Sequence, residues 1–131
     1  MTSIGEDAFF DCCGLTSVTI PEGVTEIGKR AFKSCSGLTS VEFNATNCTS
    51  MGGSSYPVFE GCSKLTTLTI GKNVTTIPSY AFYKCSGLTS VNYEGSIADW
   101  SGITFSYIYS NPLYYAGHLY IDGVEVKDLE I

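Results

Sequence analysis

Four times along the chain the apolar residues fall into one short pattern. Phe9, Phe32, Phe59 and Phe82 each follow a small or β-branched residue (Ala8, Ala31, Val58, Ala81) and each precede, three positions on, a cysteine: Cys12, Cys35, Cys62 and Cys85. Leu15, Leu38, Leu65 and Leu88 come next, then Val18, Val41, Leu68 and Val91, and two positions further Ile20, Phe43, Ile70 and Tyr93. The last two apolar positions of each set alternate with polar ones, which is the pattern of a half-buried strand, and the leucine turns the chain into it. Successive phenylalanines lie 23, 27 and 23 residues apart, and a period of ~20–29 residues with this apolar grammar predicts a solenoid. Strands separated by so long a return path lie parallel, because a hairpin needs only a tight turn, and parallel crossovers are right-handed. The return legs, "PEGVTEIGKRAF" and "GKNVTTIPSYAF", space Val24 and Ile27, or Val74 and Ile77, three apart. They predict a second short extended piece and then a helical turn, with apolar side chains of both legs filling the coil.

The long repeat carries its extra residues near 44–58. Cys48 and Met51 keep the spacing of Val24 and Ile27 and are expected to point inward, which leaves "GGSSYP" as a surface bulge. Insertions are tolerated in loops, and binding often sits there, so Ser54, Ser55 and Tyr56 form a candidate binding loop.

With "IPEGVTEIGKRAFKSCSGLTSV" and "IGKNVTTIPSYAFYKCSGLTSV" on the page, the chain resembles the BspA-type leucine-rich repeats of bacterial surface proteins and some parasitic protists. The resemblance runs from Ile4 to Tyr93 with one interruption. It implies an α/β leucine-rich-repeat solenoid, β-dominated and right-handed, with parallel strands and short helical turns on the return legs. It also implies a secreted or cell-surface scaffold for adhesion or protein binding, without enzymatic activity or cofactor. The 131 residues are expected to form one leucine-rich-repeat domain: regular repeats over 1–93, then a variant repeat over 94–131 that resembles the segments interrupting such arrays.

Within that last stretch Ser96 is placed to cap a turn at "IADW", with Asp99 near its start, and Tyr107, Tyr109, Tyr114, Tyr115 and Tyr120 crowd around the segment that follows. Tyrosine and tryptophan suit interfaces, and they are equally the filling of a deformed repeat. "LYIDGVEV" alternates on both sides of Asp122-Gly123, a strong hairpin signal. Val126, Leu129 and Ile131 repeat the spacing of Leu15, Val18 and Ile20, while "MTSIGEDAF" matches "VTEIGKRAF". Both ends therefore read as open coils, belonging to a longer array or meeting end to end in another molecule, since terminal repeats ordinarily carry a polar cap.

The formal net charge is −6. The excess belongs to the C-terminal end, where Lys127 alone opposes Glu94, Asp99, Asp122, Glu125, Asp128 and Glu130. An acidic field repels nucleic acid and anionic lipid, so no nucleic-acid partner is expected. No run approaches the ~18 apolar residues of a membrane span, and no signal peptide opens the chain.

Candidate chemistry is sparse. The four in-register cysteines lack Cys-x-x-Cys spacing, and the sole histidine, His118, is distant, so no metal site is expected. Coils ~5 Å apart bring equivalent cysteines within reach of a disulfide, Cys62 with Cys85 for instance. A ladder of buried thiols filling a narrow corner is the other reading. His118 reads as an edge side chain, and Glu125 with Asp128 as solvated charges. The polar strand positions Ser17, Thr19, Ser40, Glu42, Thr67, Thr69, Ser90 and Asn92 form columns on the face that leucine-rich repeats generally use, their concave one. They are the candidate surface for a protein or glycan partner, although serine and threonine also simply suit exposed β positions. The alternative role is a structural unit that stacks head to tail through its open ends.

Overall fold

The computed structural model describes residues 2–52, 55–105, 118–121 and 123–126. Its strands, in chain order, are β1 (Ser3–Ile4), β2 (Ser17–Ile20), β3 (Glu26–Ile27), β4 (Ser40–Phe43), β5 (Ser50–Met51), β6 (Thr67–Ile70), β7 (Thr76–Ile77), β8 (Ser90–Tyr93), β9 (Thr104–Phe105), β10 (Leu119–Ile121) and β11 (Val124–Glu125), with helix α1 (Ile97–Ser101) between β8 and β9. They form a β-solenoid. The four-residue strands, with β10 and β11, build a six-stranded wall in the order β11-β10-β8-β6-β4-β2, and β1, β3, β5, β7 and β9 build the return wall opposite. We count a coil as one return strand, the turn that follows it, and one long strand, so that Phe9, Phe32, Phe59 and Phe82 mark coils one to four.

Pairing from β2 to β10 is parallel, and the repeat sets its register. Val18, Val41, Leu68 and Val91 stand side by side, as do Ile20, Phe43, Ile70 and Tyr93. From coil two onward these residues are buried, together with Leu38, Leu65 and Leu88. β10 and β11 are antiparallel, with Ile121 opposite Val124. That leaves two residues in the loop, as the Asp122-Gly123 pair predicts, and Gly123 takes the left-handed φ of 78° such a turn requires.

The helical turn expected on the return leg is realised as a run of tighter turns. In coil two Ala31, Lys33, Cys35 and Leu38 donate backbone N–H to Gly28, Arg30, Phe32 and Cys35 respectively, at 3.0–3.4 Å. Each bond spans three residues, and left-handed Arg30 (φ 56°) and Ser34 (φ 62°) stop the run from becoming a helix. Asp7 and Asp11 repeat the device in coil one, Tyr80 and Lys84 in coil four. Coil three departs from it: Gly61 (φ 80°) fills the second left-handed position, while the first holds Pro57, whose ring fixes φ negative, and Gly52 (φ 56°) supplies the bend instead.

Between the walls the phenylalanines stack like plates. Phe9–Phe32, Phe32–Phe59 and Phe59–Phe82 have ring centroids 5.0, 5.4 and 5.9 Å apart and planes within 12° of parallel. Threonine hydroxyls reinforce the coil spacing from outside: Thr25 donates to Thr2 O, Thr39 to Thr16 O, Thr75 to Thr46 O and Thr89 to Thr66 O, at 2.9–3.2 Å. Beyond β8, Ser96 caps α1 in a reciprocal box, receiving the Asp99 N–H at 3.1 Å and donating its own to the Asp99 carboxylate at 3.4 Å. The helix buries Trp100 edge-on against Tyr93, at 5.3 Å.

Candidate functional site

Because side chains alternate across a strand, burying the valine and isoleucine columns turns their polar neighbours outward. Ser17, Ser40, Thr67 and Ser90 form one outward column, and Thr19, Glu42, Thr69 and Asn92 the next. All eight predicted residues share one face of the six-stranded wall. The face is mostly uncharged and rich in hydroxyl groups; Glu42 is its one carboxylate in coils one to four, and it accepts from the Thr19 hydroxyl at 3.5 Å. Register carries both columns one strand further, setting Tyr120 beside Asn92 and His118, by continuation, beside Ser90. Thr69, Asn92 and Tyr120 line an open groove of about 1090 Å³ together with Glu94, Ile97 and Val124.

Sequence reasoning left His118 as an edge side chain and Glu125 as a solvated charge. The hairpin instead brings them together: His118 Nδ1 lies 2.7 Å from Glu125 Oε1, on the exposed side. Their spacing of seven residues carries no signal until the two-residue turn is known. The imidazole thus engages a carboxylate that ties β10 to β11, and no hydrogen bond joins it to Ser90 among the described residues.

The candidate loop is anchored. Tyr56 is exposed, and its ring stacks against coil two, with Lys29 Nζ and Arg30 Cζ each 5.0 Å from its centroid. Arg30 reaches on to coil one, its Nη2 donating to Glu6 at 3.3 Å and to Asp7 at 3.5 Å, while its Nε lies 3.2 Å from Asp7 Oδ1 as an ion-pair contact without hydrogen-bond geometry. Ser55 is exposed. Ser54 lies outside the described residues, as do Met1, Tyr107, Tyr109, Tyr114, Tyr115, Asp122, Asp128, Leu129 and Ile131.

All six cysteines are free. Cys35, Cys48, Cys62 and Cys85 are buried, and the thiols of Cys35 and Cys62 donate to the carbonyls of Phe9 and Phe32 one coil back, both at 3.1 Å. Burial disfavours the thiolate: it pushes Cys62 from 9.0 up to about 11 and raises Cys35, Cys48 and Cys85 as well. The described residues hold no cluster of three metal-ligating side chains. Two results are expected. At neutral pH a thiol reagent modifies exposed Cys13 and, more slowly, half-buried Cys12, and reaches the other four only in denaturant; six equally fast thiols in the native protein would contradict this burial. The folded chain also holds the Cys62 proton up to about 11, whereas the unfolded chain releases it near 9.0. The contribution of Cys62 to stability, read from denaturant melts, is therefore fully present below pH 9 and is lost between about pH 9 and 11.

Comparison with known proteins places this arrangement. Residues 1–111 match the model of the BspA type leucine rich repeat region in six copies. Among solved structures, a leucine rich cell surface protein from Faecalibacterium prausnitzii A2-165 aligns at 30% identity over 79% of this chain, with a TM-score of 0.48; the aligned part is 32% of that protein's length. A leucine-rich repeat protein from Bacteroides ovatus aligns at 16% identity and a TM-score of 0.29, over 81% of this chain and 55% of the other. No curated protein matches. Among the described residues no helix is long and apolar enough to cross a membrane.

Proposed function

This chain belongs to the BspA-type leucine-rich repeat family, and from that membership we propose that it is a non-catalytic interaction scaffold, a single repeat domain displayed at a cell surface, whose six-stranded face binds a protein or glycan partner. The observation that supports this most directly is the register of the two outward columns. Four coils present Ser17, Ser40, Thr67 and Ser90 beside Thr19, Glu42, Thr69 and Asn92 without a break. Such a face offers hydroxyl and amide groups at a fixed repeat, and at its end a groove with a tyrosine on its rim. Hydrogen bonding at regular spacing suits an extended polar ligand, and Tyr120 adds contact area at little entropic cost.

A second reading, end-to-end stacking of copies, is favoured by the outer surface of coil one. There exposed Phe9 and half-buried Leu15 and Val18 line a concavity of about 240 Å³ with Ile4, Pro21 and Phe32.

One experiment addresses both readings. The protein, the face variant Thr69→Lys and the return-wall variant Ser50→Lys are presented to arrays of glycans and matrix proteins, and their molar mass is followed by light scattering over a wide concentration range. The binding reading expects at least one array partner, lost in Thr69→Lys and kept in Ser50→Lys, with a monomeric mass throughout. Partners lost equally in both variants would remove the face from consideration. A mass that grows with concentration and no array partner would favour stacking.

A further inference from the structure

The two walls differ in continuity. The six-stranded wall runs unbroken through coils three and four, with β6 and β8 paired over four residues. The return wall does not: β1, β3 and β5 form one sheet, β7 and β9 another. No backbone hydrogen bond joins the described residues of 49–52 and 55–62 in coil three to those of 76–87 in coil four, and the contacts that cross here are between side chains, the Phe59–Phe82 stack and an ion pair from Lys84 Nζ to Glu60 at 3.9 Å.

Pro78 stands at the break. The residue after each return strand is Gly5, Gly28, Gly52 or Pro78. Gly28 and Gly52 donate to Ile4 O and Ile27 O of the preceding coil at 2.7 and 3.0 Å. The equivalent bond from residue 78 to Met51 O has no donor, because proline carries no N–H. The column also lacks room. A Cβ on Gly28 would stand 2.4 Å from Glu6 N, and Pro78 sets a whole ring at this position. The bonds of the phenylalanine column are absent at the same place: Phe9 and Phe32 donate to Ala31 O and Val58 O at 2.7 and 3.0 Å, and Phe59 has no counterpart bond to Ala81. The ring stack is widest at this place, 5.9 Å against 5.0 and 5.4 Å.

We propose that the solenoid is hinged between coils three and four, at a seam set by Pro78, so that the return wall opens there while the six-stranded wall stays closed. The seam is bounded on both sides. Thr75 reaches Thr46 O through its N–H and hydroxyl at 3.4 and 2.9 Å, and Thr89 reaches Thr66 O at 2.9 and 3.2 Å. Those contacts and the β6–β8 ladder form the pivot. Opening the back of the coil pair changes the curvature of the opposite face, so the spacing of Glu42, Thr69 and Asn92 follows the hinge whatever partner that face accepts.

Residue-resolved amide hydrogen exchange on the full chain tests this. Phe59 and Phe32 are equally buried in the same column, yet the Phe59 amide should exchange at least tenfold faster, while Leu68 and Val91 remain as protected as Val41. Equal protection of Phe32 and Phe59 would overturn the seam. Loss of protection at Leu68 and Val91 together with Phe59 would overturn the closed wall, because the coils would then be separating completely. In Pro78→Gly, which restores the residue type of the other coils, the Phe59 amide should slow towards the Phe32 rate. An unchanged rate would remove the proline from the explanation.

Discussion

Phe59→Ala is expected to lower the unfolding free energy by about 3–5 kcal/mol, through lost transfer energy and the cavity left behind. Phe59 is the inner plate of a four-ring stack, 1% exposed, with Phe32 at 5.4 Å on one side and Phe82 at 5.9 Å on the other. Its neighbours cannot collapse fully into the space, because the six-stranded wall holds β4, β6 and β8 at the pitch of the hydrogen-bond ladder. The effect is cooperative as well as local: stability in a coil array is a sum over neighbouring interfaces, and this ring belongs to two of them. Phe9→Ala is the matched control, since its ring stacks on one side only and is 38% exposed; it should cost less than half as much. Denaturant melts of the two variants decide the matter, and a loss below about 1 kcal/mol for Phe59→Ala would refute the stack as the core of the fold.

Gly28→Ala is expected to cost about 1–3 kcal/mol although it adds a single methyl group. The new Cβ would lie 2.4 Å from Glu6 N, 2.7 Å from Gly5 C and 2.8 Å from Glu6 Cα. All three are backbone atoms, and none can rotate aside as the end of a side chain would. Coils one and two must part instead, which stretches the bonds from Gly28 to Ile4 O and from Asp7 to Lys29 O. Gly14→Ala meets nothing within 4 Å and should change the midpoint by little more than the ordinary glycine-to-alanine effect. If thermal melts showed the two substitutions to be equivalent, close approach of the return wall would not be what demands glycine at position 28.

Much of this architecture was legible before any coordinates because one side-chain pattern recurs. The repeat spacing alone assigns Cys35, Cys62 and Cys85 to the interior and Val41, Leu68 and Val91 to one column. Cys48 and Met51 were read inward across the insertion for the same reason, and both are buried. What escaped depends on a neighbour being known first. Pro78 looks like an ordinary loop proline until the donor missing from its column is compared with Gly28 and Gly52. Tyr56 looked like the tip of a free loop, and its partners Lys29 and Arg30 lie in the previous coil. The pairing of His118 with Glu125 needs the turn geometry that only the folded hairpin supplies.

The irregularity of coil three has a consequence for how the chain assembles. "GLTSV" occurs at 14–18, 37–41 and 87–91, whereas coil three reads "KLTTL" at 64–68. Three coils carrying the same pentapeptide are nearly interchangeable templates, so a growing stack could skip a coil, or borrow one from a second molecule, at small energetic penalty. Coil three cannot be exchanged in this way, because its extra length and Pro57 fit nowhere else. It works as an address label within a monotonous text: a chain that docks the wrong coil against it loses the fit at once, and the order of the others is counted from there.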